Sequence, residues 1–528
     1  MALWPYKALR PKGDGIMAFS RMSVVAASLL TAFVGLGVAS SPRPHPNVIF
    51  ILADDLGYGD TGFTWQNTRS GGMPRIYTPN IDRLAKEGVV LSSHYCAAPV
   101  CAPSRASLMT GRVQGRCSLR DNCFDRAFSE TDTLASILKR AGYTTWAVGK
   151  WGIAGGGESG EPVSSHPLDR GFDYFYGFLD HMAGHTYYHY RGHIRNAYMG
   201  ITENRTDATA SAEGIYSTDL FTAKAKSLIS RHVEDGAKSP FFMYLAINTV
   251  HGSARSDDTL KCKAPIHVPG RPYPEGGVEW PLEKEPLESR NTWINPAYAN
   301  LPTAAARYAT SVARLDDAIG DLMRHLERLG IDRDTMIVFT SDNGPANEYG
   351  ADPRTFGSAG PFDGFKRDVF EGGMRVPACV RWPAHIKAGL SDSQPSQFHD
   401  WMATLADAAG VAKPEISDGV SLLPRWLEGG SSSCEPSFIY TQYEFPWGGD
   451  TEAFRELEAR KGSVRGLQQM VREGDYVALR TRMREPGSRT RLYNVVEDPF
   501  EENDLSGRPE QRERLSRLES ILQQYLAN

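Results

Sequence analysis

The sequence predicts an α/β fold: a large mixed, mostly parallel sheet flanked by helices, followed by a smaller C-terminal α+β subdomain. Three observations predict it. Short apolar runs of the kind that form strands buried on both faces alternate with helix-patterned segments. Polar or charged residues follow several of these runs closely, as they do at the carboxyl edge of an open sheet. A Gly/Ser stretch, Gly429-Gly430-Ser431-Ser432-Ser433, then marks a change of composition before a tail of short strand candidates.

Composition narrows the class. Of 528 residues, 41% are hydrophobic and 23% charged, which is ordinary for a globular chain and excludes a coiled coil, a disordered chain or a polytopic membrane protein. Lys plus Arg number 58 against 63 Asp plus Glu, a net charge of −5. That balance argues against a nucleic-acid partner, which calls for a basic excess.

The elements follow in order. Residues 1–41 read as a leader: Arg21 precedes the apolar run Val24 to Ala39, and small residues follow at Ser40 and Ser41. A start at Met17 or Met22 fits that pattern better than Met1. The run is short for a membrane span, so the expectation is an exported protein, periplasmic or secreted, without an integral span. Val48–Leu52 (VIFIL) is the first buried strand and leads to Asp54-Asp55. A helical segment, Asp132–Arg140, leads to a strand at Thr144–Val148 and on to Lys150. Phe241–Ile247 is another buried run, with His251 beyond it. A long helix, Thr303–Arg328, precedes the strand Met336–Thr340 and then Asp342-Asn343-Gly344. Residues 253–302 are rich in Pro and charge and read as a long surface insertion. The tail carries strand candidates at Tyr476–Leu479 and Arg491–Tyr493. It ends in a helix, Pro509–Leu526, with Leu515, Leu518, Ile521, Leu522 and Tyr525 at helical spacing. The expected domains are 42–430 and 431–528.

Seven cysteines are present: Cys96, Cys101, Cys117, Cys123, Cys262, Cys379 and Cys434. An odd number leaves at least one thiol unpaired in an oxidising compartment. No CxxC pair supports a structural zinc site.

Two constellations carry chemistry. Asp54, Asp55, Asp342 and Asn343 are hard oxygen ligands, which suit Ca²⁺, and less well Mg²⁺, rather than zinc. Each half also has a plain reading, as a turn or a helix cap; together, each just after a buried run, they point to a metal. The second is Cys101-Ala102-Pro103-Ser104-Arg105, where Pro103 and Ser104 suit a helix start. Cys101 is then expected just before a helix N-terminus, where negative charge is favoured, with Arg105 as a fixed cation.

Cys101-x-Pro103-Ser104-Arg105 resembles the signature of the type I, formylglycine-dependent sulfatases, arylsulfatase-like enzymes. Further segments agree in the family's order: Pro46-Asn47-Val48 leading to Asp54-Asp55-Leu56-Gly57, then Gly149-Lys150-Trp151, Gly171-Phe172-Asp173, Ser341-Asp342-Asn343-Gly344, and Lys366 before Glu371-Gly372-Gly373-Met374-Arg375-Val376-Pro377. Leu492-Tyr493-Asn494 and Asp498-Pro499 resemble its C-terminal part. The resemblance implies an alkaline-phosphatase-like fold and hydrolysis of sulfate esters; the export pattern and the long insertion point to an extracellular sulfated carbohydrate, or a sulfated small molecule, as substrate. The resemblance also implies a formylglycine made from Cys101 by a formylglycine-generating enzyme. The hydrated aldehyde offers one hydroxyl to attack sulfur and a second to release sulfate. By the same resemblance Asp54, Asp55, Asp342 and Asn343 hold Ca²⁺, Arg105 orients residue 101, Lys150 and Lys366 bind sulfate, and His251 protonates the leaving alcohol.

One departure stands out. Many sulfatases carry His two residues after the Lys, where this chain has Gly152. His181, His185, His189 and His193 lie downstream in a Tyr-rich segment. His181 and His185 are the candidates for reaching the substrate, and Trp65, Tyr187 and Trp447 are loose candidates for stacking on sugar. Two competing functions remain at this point: a phosphate or phosphonate ester hydrolase of the same superfamily, and a non-catalytic glycan-binding homologue.

Overall fold

The computed structural model describes residues 45–122, 126–157, 162–194, 196–252, 266–347, 352–427, 437–444 and 466–526. The leader, the Gly/Ser stretch at 429–433, Trp447, Cys123, Cys262, Cys434 and the first part of the 253–302 segment lie outside them.

Alternation within the first strand shows why the sheet sits in the middle. In Asn47–Ala53, Val48, Phe50 and Leu52 point into one apolar core, whereas Ile49, Ile51 and Ala53 point into another on the opposite face. A strand buried on both faces must be apolar throughout, as the run VIFIL is. The parallel strands Phe241–Ala246 and Thr335–Ser341 flank it, with Leu52 opposite Ala246 and Ala53 opposite Ser341.

Ten strands form this sheet. In spatial order they are Leu390–Asp392, Val89–Leu91, Ala378–Arg381, Thr335–Ser341, Asn47–Ala53, Phe241–Ala246, Thr144–Lys150, Tyr174–Phe178, Thr202–Glu203 and Thr206–Asp207. The five from Thr335–Ser341 to Tyr174–Phe178 are parallel. Ala378–Arg381 runs antiparallel to both its neighbours. The expected strands are all present, most of them one or two residues longer or shorter at an end. The helix Leu134–Arg140 starts later than Asp132 because Thr133 caps it, its hydroxyl accepting from Ser136 N–H. The long helix spans Thr303–Arg328 as expected.

The tail forms a separate antiparallel sheet, ordered Ile439–Tyr443, Gln468–Glu473, Tyr476–Arg480 and Arg491–Asn494. Met470, Val477, Leu479 and Tyr493 face the main core, whereas Val471, Ala478 and Leu492 meet Leu518 and Leu522 of the helix Arg512–Leu526. Pro509–Gln511 is a 3-10 turn ahead of that helix.

One expectation is corrected. The described part of the 253–302 segment is not a surface loop throughout. His267, Val268, Val278 and Glu285 are buried. Lys226 donates to Glu279 and Asp321, and Asp321 accepts from Val278 N–H and from Tyr273. The segment is pinned by satisfied buried polar groups, which a scan for apolar periodicity does not register.

Candidate active site

The strand ends deliver the site. Asp54 and Asp55 follow Ala53, Asp342 and Asn343 follow Ser341, Lys150 ends its strand, and His251 lies five residues past Ala246. All are buried. Asp342 N–H donates to Ala53 O, Asp54 N–H to Thr249 O, and Val250 N–H to Asp54 O, so three strand exits are stitched together. Asp55 has φ +63°, a conformation that costs a non-glycine residue about 1–2 kcal/mol and persists where the surroundings impose it. Its N–H donates to Asp342 Oδ1 (3.2 Å), and Leu56 N–H donates to Ser341 Oγ (2.9 Å). Glycine is required at 149 for close approach: a Cβ there would lie 2.0 Å from Ala246 O, at φ +103°.

Cys101 is the first residue of the helix Cys101–Thr110, rather than the residue before it. Pro103 falls in the first turn, where the missing N–H costs nothing. The thiol donates to Asp54 Oδ1 (3.3 Å) and lies 3.9 Å from Asp55 Oδ1. Burial, then Asp342 and Asp54, push that thiol well above its ordinary range. A thiolate is therefore disfavoured here despite the helix N-terminus.

Three cations face the three carboxylates. Arg105 donates from Nε (3.0 Å) and Nη2 (2.7 Å) to Asp342 Oδ2, and from Nη1 to Lys150 O and Tyr244 OH (both 3.2 Å). Lys150 Nζ meets Asp54 Oδ2 at 2.6 Å. Lys366 Nζ meets Asp55 at 2.9 Å and donates to His251 Nε2 at 3.3 Å. His251 Nδ1–H donates to Gly252 O (2.6 Å), which assigns the tautomer. Burial alone would raise the Asp54 carboxyl; Lys150, His251 and Arg105 outweigh it and hold the group well below the carboxylate range. For Asp55 the same contest is won chiefly by Lys366. Asp342 is pushed up to about 7, by burial first and then by Asp54, against the pull of Arg105.

Metal fit can be judged from the donors. Ligand atoms of Asp54, Asp55, Cys101 and His251 lie within 4.8 Å of one another. Asn343 Nδ2 donates to Asp55 Oδ1 (2.8 Å) and to Gly344 O (2.8 Å), while its Oδ1 is buried without a partner among the described residues. A buried amide oxygen left bare beside converging carboxylates is what an oxygen-seeking divalent cation would satisfy.

The histidines divide. His181 and His185 sit in the 3-10 turn His181–His185, and the His185 ring is 4.4 Å from that of His251. A Cβ on Gly152 would come within 3.5 Å of His181 Nδ1, so the His181 ring borders the space a side chain at 152 would enter. Burial drives both imidazoles well below their ordinary range. His189 is elsewhere, packed on Phe178 with Nδ1 near Met199 O, and His193 is exposed beside Tyr198. Tyr187 is fully buried and donates to Asn248 O and His251 O, so it braces the His251 loop and is no sugar platform. Sequence reasoning missed Tyr244, which lies inside an otherwise apolar strand, and gave no separate role to Ser341, the last residue of its strand. The cysteines 96, 101, 117 and 379 are all buried and unpaired.

A model of the Sulfatase family matches residues 46–411, and one for the N-sulphoglucosamine sulphohydrolase C-terminal region matches residues 357–528. The chain belongs to the sulfatase family. This sulfatase is 32% identical over 435 residues to N-acetylgalactosamine-6-sulfatase of Mus musculus, covering 78% of this chain and 72% of that protein. It is 31% identical to human steryl-sulfatase, covering 76% and 73%. Among solved structures, Ps i-CgsB in complex with k-i-k-neocarrahexaose aligns with a TM-score of 0.68 at 27% identity, over 91% of this chain and 93% of that one. A phosphonate monoester hydrolase of Agrobacterium radiobacter shares the fold alone, with a TM-score of 0.56 at 19% identity. The protein is thus a sulfuric ester hydrolase with an alkaline-phosphatase-like fold, and neither competing function is favoured. No helix among the described residues is long and apolar enough to cross a membrane.

Proposed function

We propose that this sulfatase is exported and hydrolyses sulfate esters of a glycan, with residue 101 converted to formylglycine and Ca²⁺ held by Asp54, Asp55, Asp342 and Asn343. The observation that carries the reading is the surroundings of Cys101: a thiol kept protonated, 3.3 Å from Asp54, ringed by Arg105, Lys150 and Lys366. A thiol so disfavoured as thiolate is a poor nucleophile. Oxidation to the hydrated aldehyde supplies an oxygen nucleophile and a second hydroxyl for releasing sulfate. Held by these residues, Ca²⁺ would supply a fixed positive charge for an anionic group.

The chain's own residues do the rest. Three carboxylates against three cations leave the cluster neutral; a divalent ion makes it positive, which suits an anionic ester. Lys150 and Lys366 place ammonium groups where charge develops on the transferring group. Arg105 locks Asp342 and the start of the catalytic helix. Lys366 donates to His251 Nε2, and the ammonium of that pair is the source of the proton for the departing alcohol. His181 and His185, beside Gly152 and His251, are the groups that read the substrate. Export rests on the leader pattern, and the glycan on the names of the relatives and on the carbohydrate bound in Ps i-CgsB.

The test is peptide mass spectrometry across residue 101 in protein co-expressed with a formylglycine-generating enzyme, paired with sulfate release from sulfated monosaccharides. An aldehyde mass together with release supports the reading. An unmodified thiol despite an active maturase overturns it.

A further inference from the structure

Lys366 sits on an irregular loop, yet its ammonium must be held against Asp55 and His251. The next residue shows how. Arg367 has φ +77°, a strained conformation for a non-glycine residue, and both faces of its backbone are tied. Its N–H donates to Pro99 O (2.7 Å), two residues before Cys101. Its carbonyl accepts from Gln468 Nε2 (2.9 Å), a side chain of the C-terminal sheet that is wholly buried. Lys366 N–H itself donates to Pro345 O (2.9 Å), just past Asn343-Gly344. The loop is therefore pinned to the approach to residue 101, to the second metal motif and to the C-terminal sheet.

We infer that Gln468 is a positioning residue: through the Arg367 carbonyl, the C-terminal sheet sets the place of Lys366 in the catalytic cluster. This rests on the reading that Lys366 contacts the sulfate. The amide orientation follows from chemistry, because a carbonyl can only accept, so the NH₂ faces Arg367. Alternation along the strand Gln468–Glu473 supplies a control. Gln469 points the other way and donates to Tyr440 OH (2.8 Å) and Leu522 O (3.1 Å) under the terminal helix. Both glutamines are fully buried, and one of them leads to Lys366.

Gln468→Glu keeps the shape and loses the donor; Gln468→Leu loses both polar atoms. A group misplaced by about 1 Å costs about 100-fold in rate, so a partial release of Lys366 should lower kcat about tenfold with KM little changed. Gln469→Ala should lower Tm and leave kcat alone. A loss of kcat in the Gln468 variants that disappears in the Lys366→Ala background supports the inference. A fall in Tm with kcat and KM intact, or an equal loss in the Lys366→Ala background, overturns it. Crystal structures of the Gln468 variants give a readout without turnover: a Lys366 Nζ–Asp55 separation still at 2.9 Å overturns the inference. Matured wild-type protein that releases no sulfate overturns the reading of the site instead, and the crystallographic result still decides the positioning.

Discussion

Gly184→Ala isolates the contribution of Lys150 from the stability of the fold. Gly184 lies in the turn His181–His185, and a Cβ there would meet Lys150 Cδ and Cε at 3.3 Å and Nζ at 3.4 Å. Comfortable contacts run from about 3.5 to 4.0 Å, so the lysine stem must retreat by about 0.3–0.4 Å. The stem is buried, so it cannot swing into solvent. Moving the ammonium from 2.6 Å to about 3.0 Å from an anionic oxygen weakens the attraction by about 0.9 kcal/mol at an effective dielectric of about 20. That is about a fivefold loss, and the expected range for kcat is about threefold to tenfold. Stability should hold, because alanine is favoured over glycine in a right-handed turn by about 0.5–1 kcal/mol, which offsets the weakened ion pair. The assay is steady-state turnover of 4-methylumbelliferyl sulfate, normalised to formylglycine content by mass spectrometry, with Tm measured on the same samples. Unchanged kcat, or the same loss in a Lys150→Ala background, would refute the argument. Gly152→Ala is the contrast: at φ +70° it should lose stability as well as activity.

Three further outcomes follow from the geometry. Chelation by EGTA should lower Tm, and re-added Ca²⁺ at about 100 times Kd should restore about 2.7 kcal/mol in wild type but much less in Asn343→Ala; a Tm indifferent to both contradicts the metal assignment. In protein made without a maturase, the Cys101 thiol, raised by burial and then by Asp342 and Asp54, should resist iodoacetamide at mildly alkaline pH until urea is added, as read from the mass of its peptide; rapid labelling in the native state contradicts this. Burial pushes Asp60 up to about 6 from 3.8. Its folded form holds the proton more tightly, so its contribution is complete below about pH 4 and is lost as pH rises through 6. Wild type minus Asp60→Asn should therefore show a decline of about 3 kcal/mol in urea unfolding between pH 4 and 7, at about 1.4 kcal/mol per unit; a flat difference sinks it.

The central strands were legible because burial on both faces leaves one kind of sequence, a continuous apolar run. The same logic placed Asp54, Asp342 and Lys150, which are the first charged residues at the ends of their strands. Tyr244 hid for the converse reason. It sits within an apolar strand, and nothing in periodicity distinguishes a tyrosine that packs from one whose hydroxyl meets a guanidinium. The histidine cluster was half legible: four rings share a composition, but the two in the turn His181–His185 lie near Lys150 or His251, while His189 and His193 do not.

Lys366 shows what pattern and periodicity leave to the family resemblance. A lysine in a loop is ordinarily a solvated charge, and its neighbours in sequence give no cause to think otherwise. Its burial comes from contacts made more than a hundred residues away in either direction, to Asp55 and His251 through the ammonium and to Gln468 through the next carbonyl. Gln468 in turn lies in a strand whose sequence says only that it is mostly polar. A site assembled at sheet edges is thus announced by the strands that end there, whereas the parts that hold its loops in place are distributed through elements whose own patterns concern packing. That is why the C-terminal sheet, which contributes no group to the cluster, is where variants that change turnover without touching the chemistry should be sought.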